Sequence, residues 1–306
     1  MFSRRFFCYK TSYIYAEEPM KPVKIGNVSI SSIIERDGPW RAPNIMFPSA
    51  TPDNLKEVMQ QVPDFAYERA KDLLVITYQT FVLRTPRATV LIDTCVGEHQ
   101  NRPPQLLFDK TPWLDGFARH GLKFEDIDYV FCTHLHVDHV GWNTRLIDGR
   151  LVPTFPNAKY VFSKREFDHW KQATDPGFIA VHEDCVQPIV DAGQALLVDD
   201  AYVLSDELSL IPTPGHSPGH VCVNLQSGGQ RAIFTGDMMH HCAQVLQPDW
   251  SSCFCSDIAL SAQTRWKFFR EHVNTETLVI PTHFPGTTAG HIRPFRDAFE
   301  FKFLDI

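Results

Sequence analysis

The 306-residue chain has no apolar run approaching the ~20 residues needed to cross a bilayer as a helix, so no membrane span is expected. It has no basic block either. Lys and Arg number 29 against 36 Asp and Glu, a net charge of −7 with histidines neutral. That balance argues against nucleic acid or an anionic membrane surface as partner. The opening stretch MFSRRFFCYKTSYIYAEEP carries an Arg pair but lacks an apolar core of about 7–15 residues, so no secretory signal is expected. The glutamates that follow weaken an organelle-targeting reading. The eight cysteines are scattered without a paired framework, and in a chain this long they read as reduced thiols of a cytoplasmic protein. Cys253 and Cys255, in CFC, are read as a chance pair. No linker-like stretch, short-period repeat or low-complexity tract divides the sequence. The expectation is one domain over 22–306, preceded by an arm over 1–21 that is either mobile or packed on a partner subunit, with a homodimer as the base-rate assembly.

What the chain does have is short apolar strands with helices set between them. PVKIGNVSISSIIERDG (22–38) alternates apolar and polar residues as an opening strand pair would. TPDNLKEVMQQV reads as a helix with Thr51 as N-cap and Pro52 at its first position. YQTFVLRT, ATVLIDT, DYVFCT, AKYVFSK, LSLIPT, RAIFTGD and TLVIPTH read as strands, KREFDHWKQA and ALSAQTRWKFFREHV as helices. The segment 96–119 reads as long, polar and aromatic. That order predicts an α/β layered architecture, sheets covered by helices.

Several of those strands end in unusual residues. YVFCT runs into His134, His136, Asp138 and His139, LSLIPTPG into His216, RAIFTG into Asp237, and TLVIPT into His283. Strand C-termini in layered α/β folds gather at one edge, so these residues can converge. Five imidazoles and two carboxylates meeting in a core need a cation to order them. Borderline divalent metals accept that mixture of nitrogen and oxygen donors. In HLHVDH alternate residues of an extended segment point the same way, so His134 and His136 can share one ion, with Asp138 and His139 turned toward a second. His220 reads as packing or as support for a ligand. His240 and His241, just after Asp237, read as surface or packing residues near the site, with lining it as the alternative, and His99, His120, His169, His182, His272 and His291 as ordinary polar residues.

THLHVDH, TPGHSPGH, FTGD and PTH, in this order and at these intervals, resemble the metallo-β-lactamase fold superfamily over roughly residues 80–285. The resemblance implies a four-layer αβ/βα sandwich and two divalent metal ions per chain. Zinc is the leading expectation, and manganese, iron or cobalt suit the same donors. It implies His134, His136 and His216 on one ion, Asp138, His139 and His283 on the other, and Asp237 between the two. Asp93, in VLIDTCVG, would orient a ligand histidine through its free N–H.

Two divalent cations sharing a water lower its pKa from 15.7 to about 7, which supplies a hydroxide nucleophile without a protein one. Asp138 is the expected catalytic carboxylate, orienting the hydroxide and passing a proton to the leaving group. Within the superfamily, Asp237 stands at a position that true β-lactamases lack. His136 stands where the flavo-diiron branch has glutamate. The N-terminal lead, FPNAKYVFSKREFDHW and THFPG are similar to acyl-homoserine lactonases and methyl-parathion-hydrolase-like enzymes. The expected activity is therefore hydrolysis of a small-molecule lactone or carboxylic ester, with phosphotriesters as side substrates. The alternatives are a mononuclear iron persulfide dioxygenase, a glyoxalase II-like thioesterase and a non-catalytic binding protein. Trp142, Phe284, Trp40, Phe47, Phe108 and Trp113 are candidates for an apolar substrate pocket.

Overall fold

The strand pair expected at the start forms as Val23–Ile25 and Val28–Arg36, antiparallel across a two-residue turn. The computed structural model describes residues 20–99 and 101–304, so the arm expected over 1–21 lies outside it except for Met20 and Lys21. Val28–Arg36 continues into a seven-stranded sheet in the order Val23–Ile25, Val28–Arg36, Tyr78–Arg84, Thr89–Ile92, Tyr129–Phe131, Lys159–Ser163, Ala195–Val198. The second sheet has six strands, Leu208–Pro212, Val221–Ser227, Gln230–Phe234, Leu278–Ile280, Gly290–Phe295 and Ala298–Phe303, in chain order.

Where neighbouring strands run parallel, the chain must cross over, and helices supply three of the four crossings. Thr111–Arg119 lies between the parallel strands Thr89–Ile92 and Tyr129–Phe131. Lys164–Trp170, Pro176–Cys185 and Gln187–Asp191 lie between Lys159–Ser163 and Ala195–Val198, and Ile258–His272 between Gln230–Phe234 and Leu278–Ile280. The helix over Pro52–Gln61 starts as its sequence predicts, with the Thr51 hydroxyl accepting from Asn54 N–H at 3.5 Å. The long polar and aromatic segment 96–119 closes on a helix. Its last nine residues are the helix Thr111–Arg119, whose Trp113 and Phe117 are buried.

Strands covered on both faces have no polar side to show, which is why they read as continuous apolar runs. Val221, Val223, Phe234 and Ile280 join Phe81, Ile92, Phe131 and Val161 in a core between the two sheets. Their chain neighbours Cys222, Ile233 and Val279 face the other way, toward Phe268 and Phe269 of the helix Ile258–His272. On the first sheet, Leu91, Val130, Tyr160 and Phe162 face Trp113, Phe117 and Phe167 of the covering helices. Three cores thus separate four layers, the αβ/βα sandwich. The C-terminal aromatics pack as part of an antiparallel hairpin, which places Phe299 and Phe301 in the outer core of the second sheet.

Candidate metal centre

All seven residues singled out at strand ends meet at one edge of the sandwich. His134 follows Tyr129–Phe131, and the chain turns at His136 into a short helix, Val137–Val140, that carries Asp138 and His139. His216, Asp237 and His283 follow Leu208–Pro212, Gln230–Phe234 and Leu278–Ile280. Donor atoms of His134, His136, His216 and Asp237 all lie within 4.8 Å of one another, and so do those of Asp138, His139 and His283.

Asp237 stands between the two groups. Its Oδ2 faces His216 Nε2 at 3.3 Å and His134 Nε2 at 3.6 Å, while Oδ1 faces His283 Nε2 at 2.9 Å and His139 Nε2 at 3.1 Å. Asp138 completes the second group, its Oδ2 lying 3.5 Å from His283 Nε2 and its Oδ1 3.8 Å from His139 Nε2.

Protein groups alone satisfy this arrangement poorly. His216 Nε2 lies 2.8 Å from His136 Nδ1 and 3.1 Å from His134 Nε2, so three ring nitrogens converge where one proton serves a single pair. His139 Nε2 and Asp237 Oδ1 are buried without a partner in hydrogen-bonding geometry. A divalent cation satisfies such convergent lone pairs together, and the donor set suits one.

The charges divide along the same line. Burial holds His134 and His216 well below the ordinary imidazole range and pushes His136 down to about 4. Burial acts on His139 and His283 too. There the carboxylates override it: Asp237, Asp93 and Asp138 hold His139 well above its usual value, and Asp237 and Asp138 raise His283. Burial would raise Asp237, yet His139, His283, His240 and His216 hold it well below the carboxylate range.

A surrounding set of groups fixes the rings. Asp93 is fully buried, as its sequence context implied, and its Oδ2 lies 2.8 Å from His139 Nδ1 while Oδ1 accepts from Thr133 N–H. The Thr77 carbonyl lies 2.8 Å from His283 Nδ1. His220 Nε2 accepts from Asp237 N–H at 3.0 Å, and its Nδ1 lies 2.8 Å from the Thr213 hydroxyl, so it supports the central carboxylate.

Glu166 was not legible as part of the site. Its Oε1 accepts from Leu135 N–H, between His134 and His136, and from Trp170 Nε1, while Oε2 accepts from Gly219 N–H in the His216 loop. One buried carboxylate thereby ties the two loops that carry the first three histidines. The glycines of TPGHSPGH permit the approach. A Cβ on Gly219 would fall 2.2 Å from Glu166 N, and one on Gly215, at φ +133°, would fall 2.3 Å from Ser261 N. The His216 loop is wedged between two helix starts.

His240, favoured from sequence as surface or packing, takes the alternative reading and lines the site. It is buried, with Nε2 3.1 Å from Asp237 Oδ2, and its ring faces His283 at 5.5 Å. Its place three residues after Asp237 was the available signal. His241 keeps its bland reading, its Nε2 lying 2.8 Å from the Ala66 carbonyl.

A cavity of about 490 Å³ opens onto Asp138, Asp237, His136, His240 and His283. Its wall corrects the aromatic expectation. Trp142, Phe284, Phe47 and Trp113 are core, and Phe108 stacks behind Tyr78; of the six candidates only Trp40 reaches the cavity. Tyr78, Trp170, Phe178 and Phe254 supply the remaining rings.

Curated relatives match about half of the chain. An atrochrysone carboxyl ACP thioesterase of Aspergillus fumigatus is 34% identical over 158 residues, 52% of this chain and 38% of the relative. An N-acyl homoserine lactonase of Bacillus cereus is 28% identical over 164 residues, 49% of this chain and 58% of the relative. The chain thus spans less than two-thirds of either relative's length. Among solved structures, the hydrolase AbOPH of the beta-lactamase superfamily aligns with a TM-score of 0.79, and the dizinc quorum-quenching lactonase AidC with 0.78. Each is 21% identical, with 94% of this chain and 98% of the other covered, a likeness of fold. No helix among the described residues is long and apolar enough to cross a membrane. The match to the superfamily itself runs over residues 76–283, from the strand-leading Ile76 to the last of the seven converging side chains, and on that extent the chain belongs to the metallo-beta-lactamase superfamily.

Proposed function

We propose that this protein is a binuclear metal-dependent hydrolase of a lactone or carboxylic ester. The observation that carries the reading is Asp237, whose two oxygens face separate histidine groups 2.9–3.6 Å away. His134, His136 and His216 would hold one divalent ion, Asp138, His139 and His283 the other, with Asp237 shared. Bound there, two ions, zinc first among the candidates, supply a water of lowered pKa and polarise the scissile carbonyl. The chain's own residues do the rest. Asp93, Thr77 and the Thr133 hydroxyl hold ligand rings in one orientation, and the aromatic wall excludes water from the acyl group. Asp138, with 18% of its side chain exposed, lines the cavity and is placed to carry a proton to the departing alkoxide. The lactonase and thioesterase named above support an acyl-transfer reading, and the seven described cysteines, all free, support a reducing, cytoplasmic compartment.

The test is metal analysis with a panel of lactones, esters and thioesters. About two zinc, manganese or cobalt per chain with turnover is expected; about one iron per chain and oxygen uptake with a persulfide would overturn it. Asp138→Asn is expected to lower kcat by about 10²–10⁴-fold, the usual range for a lost proton carrier. Full turnover with both ions bound would remove Asp138 from that role.

The divided charges give the two ions different pH dependences. The first three histidines are held low by burial and are already neutral at pH 7, so binding there displaces no proton from them. His139 and His283 are held high, and binding there displaces theirs. The sign follows: proton release makes affinity rise with pH, by about tenfold per unit for each proton displaced. Lowering the pH from 8 to 6 is expected to weaken the second equivalent far more than the first, measured by calorimetric titration of the metal-free protein. Equal pH slopes for both equivalents would contradict the assignment.

A further inference from the structure

Apart from the metal-binding cluster and its neighbouring histidines, the cavity wall is mostly aromatic and aliphatic, with Gln105, Cys253 and Ser256 as its neutral polar members and one charged residue. That residue is Arg41, on the short strand Pro39–Arg41. Its guanidinium carbon sits 4.4 Å from the Trp40 ring centre and 4.8 Å from that of Phe254, two rings that themselves lie 5.9 Å apart. Among the described residues no carboxylate comes within ion-pair distance of it. Its hydrogen bond is to a weak acceptor, Cys253 Sγ, at 3.6 Å. A guanidinium stacked on rings is held in one orientation while its N–H edge stays available, and that edge fits the two oxygens of a carboxylate or phosphate. Arg41, Tyr78, Asp138 and Asp237 line the same cavity, so the cation and the reaction centre share it.

We propose that Arg41 reads an anionic group on the substrate, so that the ester or lactone cleaved here carries a carboxylate or phosphate at the end of an apolar segment. This rests on the ester-cleavage reading above and goes beyond it, since that reading leaves the substrate's charge open. The apolar segment would lie along Tyr78, Leu106 and Phe178, with the reacting carbonyl at the histidine cluster and the anion at Arg41. Arg41 acts on binding and takes no part in bond breaking.

The experiment uses the metal-loaded protein and matched pairs of 4-nitrophenyl esters. One member of each pair ends in a free carboxylate and the other in its methyl ester, over diacids from succinate to suberate, with phosphate-ended analogues as a separate arm. At the best chain length the anionic ester is expected to exceed its neutral partner by about tenfold or more in kcat/KM, as suits a charge-assisted bidentate contact, and chiefly through KM. Arg41→Gln is expected to bring that ratio to about one, and Arg41→Lys to restore part of it. The two anionic arms show whether carboxylate or phosphate fits. No preference at any length, or a ratio that Arg41→Gln leaves in place, would overturn the proposal. Should no ester turn over, the hydrolase reading falls, and calorimetry with monomethyl adipate against neutral dimethyl adipate still tests Arg41. The anion held more tightly than the diester, with the difference lost in Arg41→Gln, supports the anion site; equal binding overturns it.

Discussion

Asp237→Asn is expected to lower turnover by about a thousandfold or more and to reduce metal content from about two ions per chain to one or none. A carboxylate can offer one oxygen to each histidine group, as Asp237 Oδ2 and Oδ1 do, whereas an amide offers a single oxygen. Loss of several kcal/mol of charge stabilisation at the reacting centre gives that scale, since each 1.36 kcal/mol is about tenfold in rate. The substitution preserves shape, so the fold is expected to survive, and His220 can still accept from the backbone N–H of residue 237. Elemental analysis alongside kcat decides the matter. Two ions retained with more than about a tenth of native turnover would mean that Asp237 does not join the two groups.

The second large effect is expected at Glu166, outside the ligand set. Glu166→Ala leaves three buried donors, Leu135 N–H, Gly219 N–H and Trp170 Nε1, without their acceptor. At about 1–3 kcal/mol for each orphaned group, the loss is roughly 3–9 kcal/mol, a large part of a domain's stability of about 5–15 kcal/mol. Freed loops also hold His136 and His216 less firmly, and lost support of this kind costs about 10–100-fold in metal affinity. Glu166→Gln keeps one acceptor oxygen and is expected to fall between native and alanine. Denaturant midpoints and chelator competition read the two effects separately. Native values of both in the alanine variant would show that the tie between the loops carries no load.

Much of this site was legible in the sequence, for reasons of chemistry. Strands buried on both faces write themselves as apolar runs, and polar groups at their ends stand out against that background. His134, His136, Asp138, His139, His216, Asp237 and His283 could be picked out because imidazole and carboxylate are costly at such positions without a counter-ion. Glu166 could not. Ser163-Lys164-Arg165-Glu166 spells a helix-capping box, and Ser163 does cap its helix, accepting from Glu166 N–H at 3.3 Å. The glutamate side chain turns instead to Leu135 and Gly219, contacts some 31 and 53 residues away along the chain. The cavity wall was hidden for a similar reason. An aromatic residue in a loop reads the same whether it lines a cavity or fills a core, and Trp113 and Trp142 prove to be stacked on each other at 4.5 Å. Which rings face the cavity depends on how Trp40, Phe178 and Phe254, from three distant segments, are brought round the same opening.

The gathering of donors from both sheets has a consequence for the order in which the molecule assembles. His134 through His139 follow a strand of the first sheet, while His216, Asp237 and His283 follow strands of the second, and Val221 N–H donates to the Thr133 carbonyl where the two sheets meet. No local stretch holds a complete set, since His134 and His283 stand 149 positions apart (283 minus 134). Contacts between such distant residues carry a loop-closure cost and are made late. Any ion bound there would find its full coordination only after the sheets have docked, and would act on the finished structure, with little to grip in the transition state that precedes it. Metal-loaded and metal-free chains would therefore fold at similar rates and part company in the rate of unfolding, where the ion holds the two sheets shut as a late-fitted clasp.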